Sequence, residues 1–267
     1  ADAIAEEDGE GTDLVLSSVS FTLGEFLDDL TLTGAGAIDG TGNALANVIT
    51  GTGAANVLDG GAGADTLRGG GGGDIYVVDH AGDSIEEADD GARDLVTSSV
   101  SYTLGSLLDD LTLTGAAAID GTGNALANTL TGNGAANRLD GGAGADSMAG
   151  GDGDDIYIVD QSGDVVVESA GGGTDTVRSA VSYTLGANLE NLELTGNDPL
   201  QGVGNALANR ITGNNGANHL DGGDGADRLE GGNGDDSYVV DHAGGPVAGA
   251  RGGGTATVAR SLGFSRA

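Results

Sequence analysis

An aspartate or asparagine recurs at every ninth position through much of this chain, and two residues after each stands one apolar side chain. The stretch "GGAGADTLRGGGGGDIYVVD" (60–79) carries the pattern, with Asp65 leading to Leu67 and Asp74 to Tyr76. One ladder runs Asn47, Asn56, Asp65, Asp74, Asp83; a second runs Asn128, Asn137, Asp146, Asp155, Asp164; a third runs Asn209, Asn218, Asp227, Asp236. The apolar partners Ile49, Leu58, Leu67, Tyr76 and Ile85 keep that register, as do Leu130, Leu139, Met148, Tyr157 and Val166. Nine residues are too few for a helix with its caps and suit one short strand plus one turn. A helix would also lose about 1 kcal/mol for every interior glycine. Two nonapeptides then close one coil, and stacked coils bury a narrow column of Leu, Ile, Val and Tyr. The expected fold is all-β: a right-handed parallel β-roll, a β-solenoid with glycine-rich turns.

A longer period lies over the short one. "LVTSSVSYTLGSLLDDLTLTGAAAIDGTGNALAN" (95–128) repeats "LVLSSVSFTLGEFLDDLTLTGAGAIDGTGNALAN" (14–47) at a shift of 81, and a third copy spans 176–209. The spacing predicts a single continuous solenoid over 1–267 with repeat units 2–82, 83–163 and 164–244. Gly245 stands where the ladder expects a carboxylate, and 245–267 reads as a degenerate partial repeat. The chain opens partway through a unit, as a piece of a longer array would. The linking stretches, such as 100–121, keep β-branched and alternating residues and read as further strands. Eleven residues rather than nine separate Asp83 from Asp94, so the coil is expected to be irregular there.

Composition excludes several classes. Glycine supplies 54 of 267 residues, about three times the usual ~7% share. It does not recur every third position, and proline is nearly absent, so collagen is ruled out. A formal charge of −33, with all nine basic residues arginine, repels nucleic acid and anionic membrane surfaces. No apolar stretch approaches the ~20 residues of a membrane helix, and the opening residues show no signal-peptide pattern. With no cysteine there is neither a disulfide nor a thiolate–metal site. A disordered linker would not hold an apolar partner at each rung.

Stacking sets Asn47 against Asp65, Asn56 against Asp74 and Asp65 against Asp83. Carboxylates stacked at the ~4.8 Å strand spacing repel unless a cation lies between them. Glycine turns expose carbonyl oxygens, and an all-oxygen cage of about six ligands on a pliable turn suits Ca²⁺. Zinc prefers nitrogen and sulfur, and Mg²⁺ a stricter octahedron.

"GGAGADTLR" (60–68), "GGAGADSMA" (141–149), "GGDGADRLE" (222–230) and "GGNGDDSYV" (231–239) resemble the nonapeptide G-G-x-G-x-D-x-U-x of repeats-in-toxin (RTX) proteins. The resemblance implies calcium as cofactor, with ligands from the rung and from turn carbonyls. Carried over, one site joins Gly61, Gly63 and Asp65 to Val78, His80 and Asp83, and another joins Asn56 to Gly69, Gly71 and Asp74. A third joins Gly142, Gly144 and Asp146 to Val159, Gln161 and Asp164. The same positions in the remaining turns add Asn47, Asn128, Asn137, Gly150, Asp152, Asp155, Asn209, Asn218, Gly222, Asp224, Asp227, Gly231, Asn233 and Asp236. Asparagine rungs lose a charge, so weaker binding is expected there. The resemblance further implies an extracellular or cell-surface protein, exported unfolded through type I secretion machinery.

Other motifs carry less. G-x-G-x-x-G fragments lack the following helix of a nucleotide site. "DGDDIYIVD" has Gly163 where an EF-hand needs glutamate. His80, His219 and His242 read as solvated turn residues, and so do Asp59, Asp140 and Asp221. Tyr76, Tyr157 and Tyr238 read as core. No nucleophile–base pair stands out, so the expected function is a calcium-folded structural module and not an enzyme. The alternatives are the accessory module of a secreted enzyme (polysaccharide epimerase, lipase or protease) and a spacer in an adhesin or surface-layer protein. Polysaccharide or cell-surface contact would follow from either.

Overall fold

The structure, a computed structural model, describes residues 11–240 throughout. It also describes residues 4, 6, 7 and 9 and the backbone of the strands Val247–Ala248 and Thr257–Arg260. The sequence reading of 245–267 as a degenerate tail, and His242, otherwise lie outside the described residues. All regular structure described is short β-strand. Strands of two to five residues alternate buried and half-exposed positions, as at Thr66–Arg68 and Ile75–Val78, so one side chain in two points inward.

Two compact units divide the chain, Ala1–Leu130 and Thr131–Ala267. In the first, one face is a parallel sheet of Leu14–Ser17, Asp29–Leu32, Val48–Thr50, Thr66–Arg68 and Ser84–Glu86. The intervening strands Phe21–Thr22, Gly40–Asn43, Val57–Gly61, Ile75–Val78, Leu95–Ser98 and Asp110–Leu113 make the other face, also parallel. Successive strands thus land on opposite faces, which is the coil of a β-solenoid. The second unit is built the same way, with Arg138–Asp140, Ile156–Val159, Thr176–Ser179, Asn191–Leu194, Arg210–Thr212 and Arg228–Glu230 paired on one face. Tyr183–Thr184, Gln201–Val203, His219–Asp221 and Ser237–Val240 pair on another.

The inward column follows the rung-plus-two rule. Leu30, Ile49 and Leu67 on one face and Leu58, Tyr76, Val96 and Leu111 on the other are at most 1% exposed. Each buried side chain of this size contributes about 1.5–3 kcal/mol through removal from water.

Coil length is not constant. Val48 pairs with Thr66 and Val57 with Ile75, the expected eighteen-residue step, but Ile75 pairs with Leu95, Leu95 with Asp110 and Asp29 with Val48. These correspond to steps of 20, 15 and 19 residues, as the matching hydrogen bonds also show. The irregular coils are held by amide side chains. Asn43 Nδ2 donates to the carbonyls of Gly24 (2.5 Å) and Leu27 (2.7 Å), and Asn124 repeats this on Gly105 and Leu108 (both 2.6 Å).

Two assignments from sequence change. Asp59, Asp140 and Asp221 are half-buried strand residues, not solvated turns. Their carboxylates accept the N–H of Gly61 (3.0 Å), Gly142 (3.2 Å) and Gly223 (3.1 Å), starting each glycine turn. His219 is also on a strand, exposed, with Nδ1 2.9 Å from Ser237 Oγ.

Candidate metal centre

Each rung sits in the last turn position before its strand, where the strand ladder places it over the rung of the neighbouring coil. Backbone pairing fixes the overlap: Thr66 N donates to Asn47 O (2.9 Å) and Ser84 N to Asp65 O (2.8 Å). The rung side chains add a second ladder. Asp65 Oδ1 accepts the Asn47 N–H at 2.7 Å, and Asp83 Oδ1 accepts the Asp65 N–H at 3.0 Å. On the other edge Asp74 Oδ1 accepts from Asn56 at 2.7 Å. In the second unit Asp155 accepts from Asn137 (2.7 Å), Asp227 from Asn209 (2.9 Å) and Asp236 from Asn218 (2.9 Å). Asp65 and Asp74 therefore lie on opposite edges of the coil.

Only glycine admits this packing. A Cβ on Gly60 would overlap Asp65 Oδ2, and one on Gly61 or Gly63 would overlap the carbonyl oxygens of Asn43 or Leu45 from the coil before. Gly61 also has φ +73°, which favours glycine. The glycine turn is thus packed directly against the carbonyls of the coil before it.

The second carboxylate oxygen decides the chemistry. Asp65, Asp74, Asp155 and Asp236 are at most 2% exposed, and the Oδ2 of each has no hydrogen-bond partner. Buried polar groups are almost always paired, and an unpaired buried charge is far costlier than an unpaired amide. Burial pushes the Asp65 carboxyl up to about 6 and those of Asp74 and Asp155 to about 7, although the N–H of the preceding rung opposes the shift. Neighbouring acids, Asp83 and Asp79 at Asp65 and Glu87 and Asp94 at Asp74, add to it. A buried, all-oxygen, negatively charged lining with orphaned acceptors fits a hard cation.

Asparagine and terminal rungs differ. Asn47 Oδ1 accepts its own turn's Asn43 N–H (2.8 Å), while Nδ2 donates to Asp28 O (2.8 Å) and Leu27 O (3.2 Å). Asn209 does the same with Asn205, Leu189 and Glu190. Asp83 takes the N–H groups of Asp79 (3.2 Å) and His80 (3.1 Å) on Oδ2, and Asp164 those of Asp160 and Gln161 (both 3.1 Å).

The family model described as RTX calcium-binding nonapeptide repeat (4 copies) matches residues 41–76, 122–157 and 203–238. These three segments of the chain are RTX calcium-binding repeats. A search of curated proteins returned no match. Each RTX segment contains a pair of asparagine rungs, then two aspartate rungs, and ends on the inward tyrosine. The RTX repeats are calcium-binding repeats, and their β-roll is a structural fold that takes Ca²⁺.

The rung ladder continues where the nonapeptide stops. Asp94 Oδ1 accepts from Asp74 (2.8 Å), Asp109 Oδ2 from Asp94 (3.0 Å), Asp175 Oδ1 from Asp155 (2.9 Å) and Glu190 Oε2 from Asp175 (2.9 Å). A strict period of nine misses these residues. Their sequence signal is an acid just before each apolar alternation, as in "DLVTS" (94–98) and "DDLTL" (109–113).

Proposed function

We propose that this chain is a calcium-folded β-roll module of a secreted protein, structural rather than catalytic. The buried, partnerless Oδ2 atoms of Asp65, Asp74, Asp155 and Asp236 carry the reading. In this reading the aspartate rungs and the turn carbonyls beside them hold the ions. The cation supplies the charge compensation that the protein's own groups do not. Asn56 with Gly69, Gly71 and Asp74, and Asn137 with Gly150, Asp152 and Asp155, are two such sets.

Without the ion, a formal charge of −33 over a narrow core opposes compaction. Binding free energy then becomes folding free energy. Free calcium at ten times Kd adds only about 1.4 kcal/mol per site, so several sites act together and folding is cooperative in calcium. Extracellular calcium modules bind at ~10⁻⁴–10⁻³ M, which leaves them empty in cytosol and filled outside. Among the described residues no helix is long and apolar enough to cross a membrane. Export through type I machinery and contact with polysaccharide or a cell surface belong to the same reading.

Circular dichroism during a calcium titration tests it. A disordered spectrum in calcium-free buffer should turn to β-structure with a Hill coefficient above one. Full β-structure without calcium would overturn the reading.

A further inference from the structure

Where the first two RTX segments end, each unit holds, among the described residues, one cluster of three carboxylates that runs on beyond the segment. Asp74, Glu87 and Asp94 form the first, and Asp155, Glu168 and Asp175 the second. In each cluster, one oxygen of every residue lies within 4.8 Å of the other two. Only the first member of each lies in a matched segment.

The long step of the coil builds the cluster. Gly69 has no room for a side chain, because its Cβ would overlap both Asp74 Oδ2 and Tyr76 Oη. Glu87 occupies the corresponding place one coil later, and its carboxylate reaches back to accept a hydrogen bond from Tyr76 Oη. In the second unit Gly150 N–H donates to Tyr157 Oη at 2.7 Å, which turns the phenol proton toward Glu168 Oε1. The tyrosine thus fixes the glutamate beside the aspartates. Asp94 and Asp175 complete each set by accepting the N–H of Asp74 and Asp155 through Oδ1.

An independent observation shows what the clusters lack. Asp74 Oδ2, Asp155 Oδ2 and Asp175 Oδ2 are buried without partners, in residues only 1% exposed. The charged groups acting on Asp155 are Asp175, Glu168 and Asp154, all acidic. Two oxygens on one ion are at most twice the bond length apart. That limit is about 4.6–5.2 Å for calcium and about 4.0–4.2 Å for magnesium. Every pair of the three oxygens lies within 4.8 Å, inside the limit for two ligands of one calcium ion.

We propose that Asp74, Glu87 and Asp94, and likewise Asp155, Glu168 and Asp175, each hold one Ca²⁺ through three side-chain carboxylates. These sites are distinct in kind from glycine-turn sites, where carbonyls supply most ligands. The third copy shows the alternative in sequence: one period on from Glu168 and Asp175 stand Gly249 and Ala256. The inference rests on the calcium reading of the ladder only for the identity of the ion.

Calcium bound by the full chain is counted by equilibrium dialysis over a titration, for the unaltered protein, Glu87→Gln and Glu87→Gln/Glu168→Gln. Glutamine keeps the size and the acceptor for tyrosine but removes the charge. One ion should be lost, or weakened at least tenfold, in the single variant and two in the double, with β-structure at saturating calcium retained. An unchanged count and affinity overturns the proposal while leaving the glycine-turn sites intact. An unaltered protein that binds no calcium overturns both readings. If the double variant does not fold, the single variant decides, since Glu87 is half-buried and loses one partner.

Discussion

At Asp65 one carboxylate oxygen accepts the Asn47 N–H and the other is buried without a partner, whereas at Asn47 both ends of the amide are engaged. The Asn47 Nδ2 group donates to carbonyls of the coil before, the acceptors a cation would otherwise face. Asn47 thus carries its own donor, whereas Asp65, like Asp74, Asp155 and Asp236, requires one from outside. This sharpens the expectation that asparagine sites merely bind more weakly. Asp65→Asn should therefore act in opposite directions with and without the ion. In calcium-free buffer the variant should gain β-signal, because an uncompensated buried charge is gone. The calcium midpoint of folding should rise about tenfold, the scale of one lost charged contact of ~1.4 kcal/mol or more. Paired circular-dichroism titrations measure both, and an unmoved midpoint would remove Asp65 from the ligand set.

At the scale of the element, the strand needs only one good inward residue. Leu67 is fully buried in an inner strand, between Ile49 and Ile85 of its two neighbours, while Leu14 on the same face is 58% exposed. At saturating calcium Leu67→Ala should cost about 2–5 kcal/mol, the cost of removing a buried leucine and leaving a cavity. Leu14→Ala should stay within about 0.5 kcal/mol. Urea unfolding of the two variants separates them, and equal losses would mean that the column is not the core. The strands of the linking stretches were legible from their alternation, but their pairing was not. Steps of 20, 15 and 19 residues replace three of eighteen and together span the same length, so the ladder returns to register at Asn128. Nothing local to "SYTLG" announces this. The register is set by Asn124 reaching Gly105 and Leu108 from a later coil.

For the whole molecule, charge is the dominant variable. With no ion bound, burial holds Asp74 and Asp155 at about 7 and Asp65, Asp94 and Asp175 at about 6, against an ordinary 3.8. A carboxylate raised on folding binds more protons folded than unfolded, so stability falls as pH rises through these values. The calcium-free chain should therefore be least structured above pH 8 and gain structure as pH drops from 8 toward 5. Calcium competes with the same protons, so the calcium needed for half-folding should rise over that interval. Melting curves in calcium-free buffer and calcium titrations at pH 8 and 5 test both signs, and a flat response would refute the assignment.

Strand length, inward column and opposite-edge rungs are all determined by the sequence itself. They follow from periods of two and nine that covalent spacing imposes on any coil of this kind. The tertiary structure alone decided which carboxylates meet across the irregular step. Glu87 reaches Asp74, and Glu168 reaches Asp155, only because one coil is stacked on another at a displacement of its own. Contacts of that sort depend on the summed lengths of several turns, which no single nonapeptide encodes.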